Sequence, residues 1–177
     1  MRSSAGDRDA EFTAWVTAHR PRLLRAAYLI CGDPHAAEDL VQTCLTRLYL
    51  AWPRFTEMGL PLSYARRALV NAHIDLTRHA WWARERPFAE PEPGAAMTDE
   101  AAVVDERATV VRALQQLPAG QRRVVVLRFL WGLSVRETAT ELRIAEGTVK
   151  SQTSDALRHL ERALAIDPLA TEVRTTD

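Results

Sequence analysis

Apolar residues recur along this chain at spacings of three and four, and no stretch alternates apolar with polar residues long enough to make a strand. The pattern predicts an all-α protein. Phe12, Trp15, Val16, Leu23, Ala27 and Ile30 make the first stripe, which Pro21 is expected to bend or interrupt because it lacks a backbone donor. Gly32-Asp33-Pro34 then punctuates the chain, since Asp33 can cap a helix and Pro34 suits its first turn. The second helix turns Leu40, Val41, Cys44, Leu45 and Leu48 inward and should end before Pro53, with a loop from Phe55 to Pro61. A third, from about Leu62 to Trp82, is expected to bury Ala65, Leu69, Ala72 and Leu76 and to show Arg66, Arg67, Asn71 and Arg78 on its other side.

Residues 87–106 break the rhythm with three prolines, a glycine and six acids, which is the chemistry of a linker. The expected organisation is a helical domain over 1–86, an acidic linker over 87–106, a second helical domain over 107–166 and a tail over 167–177. In the second domain Val110, Val111 and Leu114 predict a short helix ending near Pro118, and Val124, Val125, Leu127, Leu130 and Trp131 predict another ending at Gly132.

Leu133 to Leu164 carries the most information. Ser134-Val135-Arg136-Glu137 is a capping box, in which the hydroxyl accepts from the third helical amide and the Glu side chain reaches back to the cap amide. The helix it starts lasts to Leu142, Arg143-Ile144-Ala145 makes a short turn, and Glu146-Gly147-Thr148 begins another helix carrying Val149, Ala156, Leu157, Leu160 and Leu164. That is a helix-turn-helix, with small Ala139 at the crossing, Ile144 and Val149 closing the core, and Arg143 in place of the usual turn glycine. The exposed side of its second helix offers Thr148, Lys150, Ser151, Gln152, Ser154 and Arg158, short donors and cations able to reach base edges and phosphates.

The net charge of zero hides a distribution: +3 over residues 1–86, −6 over 87–106 and +3 over 107–177. Two mildly basic blocks flank an acidic stretch that would avoid a duplex or imitate its charge. Cys31 and Cys44 sit in apolar helical patterns without a second Cys or a His at metal spacing, so they are expected to be plain buried thiols. No apolar run approaches membrane length, no signal peptide opens the chain, and the five histidines are scattered, so the expectation is a cytoplasmic protein without metal, cofactor, small-molecule substrate or catalytic function.

Ala37-Glu38-Asp39-Leu40-Val41-Gln42, Tyr64-Ala65-Arg66-Arg67-Ala68-Leu69-Val70-Asn71, Leu117-Pro118, Leu133-Ser134 and Gly147-Thr148-Val149-Lys150-Ser151 occur in the order and spacing of a known family. In these motifs the chain resembles the extracytoplasmic-function sigma factors, the smallest of the bacterial sigma-70 family, and especially an actinobacterial subgroup. The resemblance implies a sigma region 2 bundle and a sigma region 4 helix-turn-helix acting with core RNA polymerase and promoter DNA, with an anti-sigma factor as a further partner. It implies that Asp39, Leu40 and Gln42 dock on the polymerase clamp. Phe55, Arg67, Asn71 and Arg78 would take the melted minus 10 strand, with Asn71 reading a flipped base. Thr148, Lys150, Ser151, Gln152, Ser154 and Arg158 would read the minus 35 element, and the acidic linker would thread near the template strand. Trp81 and Trp82 are expected to pack at the domain edge. Two positions depart from the family, Thr43 where many relatives have an acid and Asp155 where Arg is common. The competing reading is a two-domain helix-turn-helix regulator that binds duplex DNA without polymerase.

Overall fold

Three long helices, α1 (Ala5–Cys31), α2 (Pro34–Met58) and α3 (Pro61–Arg84), build the first of two units into which the chain divides, Met1–Gly94 and Ala95–Asp177. In this computed structural model the described backbone covers residues 5–58, 61–84 and 102–165, with side chains over 6–55, 61–78 and 108–164. The acidic stretch up to residue 101, the side chains of Trp81 and Trp82, and the tail from residue 166 lie outside it.

Leu23 and Ile30 from α1, Leu40, Val41 and Leu48 from α2, and Leu69 and Val70 from α3 are almost wholly buried together. Each contributes roughly 1.5–3 kcal/mol of hydrophobic stabilisation. The break between α1 and α2 is made by Gly32, whose φ of 78° suits a residue without Cβ, and by Asp33, whose carboxylate accepts from the Ala36 amide at 2.7 Å.

Both prolines that were expected to end or bend helices lie inside continuous ones. Pro21 and Thr17 are both exposed, as are Pro53 and Tyr49, so the carbonyl left without a donor in each case sits on the wet side of its helix. In α2 an aromatic cluster also holds the helix on course: Phe12 meets the rings of Tyr49 at 5.0 Å and Trp52 at 5.1 Å, and Trp15 meets Trp52 at 5.8 Å. The predicted loop from Phe55 to Pro61 is therefore mostly helix, and Phe55 belongs to α2.

The second unit contains α4 (Ala102–Gln115), α5 (Ala119–Val125), α6 (Val135–Leu142) and α7 (Glu146–Ala165). Residues 102–106, read from the sequence as linker, begin α4. Arg122 donates to the Leu117 carbonyl at 3.1 Å and to Gln115, tying the α4–α5 corner. After α5 the chain widens into a π-helical turn, Val126–Leu130, in which the Trp131 amide reaches the Val126 carbonyl at 3.2 Å. Gly132, with φ of 70°, ends that turn.

The inward stripes held with four exceptions. Leu76 is 53% exposed and Val110 46% exposed, although each continues the inward side of its helix; the stripe runs on past the point where a described neighbour covers it. Leu157 and Leu164 on α7 are each 39% exposed, while Val149 and Ala156 carry the burial.

Candidate nucleic-acid interface

The helix-turn-helix is built as its sequence dictates. Ser134 Oγ accepts from the Glu137 amide at 3.1 Å and the Ser134 amide donates to Glu137 Oε2 at 2.7 Å, so two otherwise orphan donors are satisfied at the start of α6. Arg143 closes α6 in the left-handed region, with φ 56° and ψ 45°, and the Ile144 amide donates back to the Ala139 carbonyl at 3.1 Å. This reversal drops Ile144 onto the cluster of Val124, Ala139 and Val149, together with Val135 and Leu142. The angle between α6 and α7 is thus set by apolar packing at the turn.

That packing aims the polar side of α7 outward. Lys150, Ser151, Ser154 and Arg158 are exposed and Thr148 is half-buried. Ser151 Oγ donates to the Thr148 carbonyl at 3.1 Å, which leaves its lone pairs free to accept. Gln152 departs from the expected face. Its amide packs over α5, where a Cβ added to Gly120 would lie 3.5 Å from Gln152 Nε2, and its Oε1 is buried without a donor. Arg158 is also committed, since its guanidinium pairs with the carboxylate of Asp155 one turn earlier.

On α3, Arg67, Asn71 and Arg78 fall within about 40° of one another at 100° per residue, spread over roughly 16 Å of axis. Arg67 and Arg78 are exposed and Asn71 is half-buried. Asp75, on the edge of that face, forms a 3.8 Å pair with Arg47 of α2, which offsets the charge it would otherwise set against a phosphate backbone. Phe55 stacks at a tilt on Tyr64, with ring centroids 4.7 Å apart, two helical turns before Asn71. Tyr64 was legible only as part of a motif; its pairing with Phe55 needs α2 to continue past Pro53.

On α2, Asp39 and Gln42 are exposed side by side, one turn apart. Leu40 is only 1% exposed and lies in the core beneath that surface. Glu38 is drawn away to Arg20 of α1 at 2.5 Å, which leaves Asp39 as the carboxylate presented outward. Thr43, where an acid was expected by resemblance, donates its hydroxyl to the Asp39 carbonyl at 2.9 Å. Beneath this face the Cys44 thiol donates to the Ala65 carbonyl at 3.0 Å, and burial pushes it up to about 12, only partly opposed by Arg47.

A three-helix unit followed by a second unit with a capped helix-turn-helix presenting short donors and cations has the architecture of a DNA-binding protein of transcription. Known proteins narrow the class. The sigma-70 region 2 model matches residues 15–83 and the sigma-70 region 4 model matches residues 107–160. The RNA polymerase sigma-E factor of Streptomyces avermitilis is 38% identical over 157 residues, covering 87% of this chain and 85% of that protein. The ECF RNA polymerase sigma factor SigM of Mycobacterium tuberculosis is 34% identical over 160 residues, covering 90% and 80%. Among solved structures, the sigma factor RpoE of Bartonella quintana, crystallised with the anti-sigma factor NepR, aligns with a TM-score of 0.72 at 26% identity over 89% of this chain and 98% of that one. The fold of CnrH, solved with the cytosolic domain of CnrY, aligns at 0.63 over 90% of each chain. The chain belongs to the sigma-70 family, in its extracytoplasmic-function group.

Proposed function

We propose that this alternative sigma factor binds core RNA polymerase, directs it to promoters carrying particular minus 10 and minus 35 elements and opens them, without catalysing a reaction itself. The observation that carries the reading is the co-occurrence of two differently built polar faces on one chain of this family. The α3 face, with Asn71 between Arg67 and Arg78, suits a single strand: the amide offers a donor edge and an acceptor edge to a base, and the cations hold the phosphates on either side. Phe55 and Tyr64 supply an aromatic wall two turns away.

The α7 face suits the groove of a duplex, with Lys150 as a point charge for phosphate and Ser151, Ser154 and Thr148 as short base-edge contacts. A regulator acting without polymerase would use α7 but has no role for Asp39 and Gln42, which here form an outward polar pair over a buried apolar core. In the proposed mechanism that pair docks on the polymerase clamp, the connector crosses between the two DNA-facing units, and a protein antagonist of the anti-sigma type restrains the factor until it is released. No helix among the described residues is long and apolar enough to cross a membrane. The proposed work on the polymerase would be done in the cytoplasm.

The deciding experiment adds the purified chain to core polymerase and maps transcription starts across the source genome. Starts that appear only with the chain and share two spaced elements are expected. Tight duplex binding by the chain alone, with no new starts, would instead establish the regulator.

A further inference from the structure

We infer that Asp155 is a specificity-determining residue for the upstream promoter element: its carboxylate converts Arg158 from a general phosphate contact into a reader of a single G·C base pair. The inference rests on the reading of α7 as the helix that enters the groove.

Its starting point is position. At 100° per residue, Ser151, Ser154 and Arg158 lie within about 60° of one another on the side of α7 opposite the buried Val149 and Ala156, which makes Arg158 a central residue of the outward face. Asp155 stands about 60° to one side of Arg158. The two form an ion pair within the helix while their side chains remain 62% and 42% exposed, so both stay within reach of a ligand.

The second observation is a contrast. Arg136, Arg143, Lys150 and Arg162 are the other exposed cations of the two helices and their turn, and none of them is in an ion pair among the described residues. The single charge that is compensated is the one at the centre of the face. As a stability device the pair is worth little, because an exposed ion pair of this kind barely exceeds the entropy lost in forming it. On recognition its effect is large. A bare guanidinium gains most from phosphate, which lines both sides of every groove whatever the sequence. With a carboxylate at its side, approach to phosphate is opposed by like charge, whereas the neutral O6 and N7 acceptors of guanine are not repelled.

The carboxylate also fixes the plane of the guanidinium fork, so less freedom is lost when the fork meets a base edge. The remaining lone pairs of Asp155 accept from an amino group of the cytosine N4 type. Donor fork and acceptor together match the major-groove pattern of a G·C pair and mismatch A·T, where the positions of O6 and N4 carry the opposite sense.

The test uses holoenzyme reconstituted from core polymerase and the full chain, with two probes: a library of duplex promoters randomised across the upstream element, and a duplex of unrelated sequence. The parent chain should select G·C at one position of the library. Asp155→Asn, which keeps shape and loses charge, should relax that position by roughly five- to tenfold. It should also tighten binding to the unrelated duplex by a few-fold and steepen the slope of log affinity against log salt by about one, as Arg158 becomes free to neutralise a phosphate. Arg158→Ala should abolish the same preference and make the Asp155→Asn effect vanish in the double variant.

If Asp155→Asn leaves both the preference and the salt slope unchanged while Arg158→Ala alters binding, the inference is wrong and α7 still reads DNA. If Asp155→Asn weakens binding to every sequence alike, the carboxylate is part of the scaffold, which also overturns it. If neither Arg158→Ala nor changes at Ser151 and Lys150 affect duplex binding, the reading of α7 falls, and the inference with it.

Discussion

Arg143 offers the sharpest test of how the helix-turn-helix holds its angle. It is the one non-glycine residue with positive φ among those described, and its backbone is needed there because the Ile144 amide must turn back to Ala139 and bring Ile144 onto Val149. For an L residue this conformation costs about 1–2 kcal/mol, from the approach of Cβ to the carbonyl oxygen. Glycine avoids that cost but loses more freedom on folding, worth about 0.5–1 kcal/mol. Arg143→Gly should therefore stabilise the second unit by about 0.5–1 kcal/mol, Arg143→Ala should be near neutral, and Arg143→Val, with a branched Cβ, should destabilise it by about 1 kcal/mol or more. Five tryptophans make whole-chain fluorescence ambiguous, so the assay is native-state exchange at the Val149 amide, which bonds the Ala145 carbonyl at 3.1 Å. The gain corresponds to exchange slowed roughly two- to fivefold in Arg143→Gly. Faster exchange in the glycine variant, or no order among the three, would refute the claim that backbone strain sits at this turn.

Replacing Asp39 and Gln42 together by Ala should weaken binding to core polymerase by about 1–3 kcal/mol with helicity unchanged, measured by competition for core; an unchanged affinity removes this surface from the mechanism. Asn71→Ala should slow opening of duplex promoters, recover only in part on a template already mismatched at the minus 10 region, and broaden base preference at one position of the single strand, worth about 1–3 kcal/mol. Cys44 should resist iodoacetamide at pH 8 while half-buried Cys31 labels, and both should label after unfolding; early alkylation of Cys44 would show that the α2–α3 seam opens. Because the folded thiol is held up to about 12 against 9.0 for the ordinary group, its contribution to stability is complete below about pH 9 and is lost as pH rises toward 12.

The helices were largely legible because burial follows period: the α2 stripe from Leu40 to Leu48 and the bounds of α6 and α7 read directly from the sequence. What escaped it depends on partners that a periodic pattern does not name. Pro53 looked like a stop because the sequence does not tell which side of a helix will be wet, and Leu76 looked buried because periodicity says nothing of where a neighbouring helix ends. On the interface, the residue types were legible but their engagements were not. Gln152 lies on a polar stripe yet packs over Gly120, Asp75 and Glu38 are taken up by Arg47 and Arg20 of other helices, and Arg158 is taken up by its own neighbour.

The π-helical turn between α5 and α6 bears on how such chains can change length. A π turn holds one residue more than an α turn spanning the same path, and here it lies just upstream of Gly132, with exposed Phe129 inside it. Loss of a single residue from this segment would let the turn close as ordinary α-helix while Trp131 and Leu133 kept their inward places. A one-residue deletion within α7 would instead rotate everything after it by about 100° and turn Arg158 off the outward face. Insertions and deletions among relatives should therefore collect at this turn, which acts as a slack link protecting the register of the helix that follows.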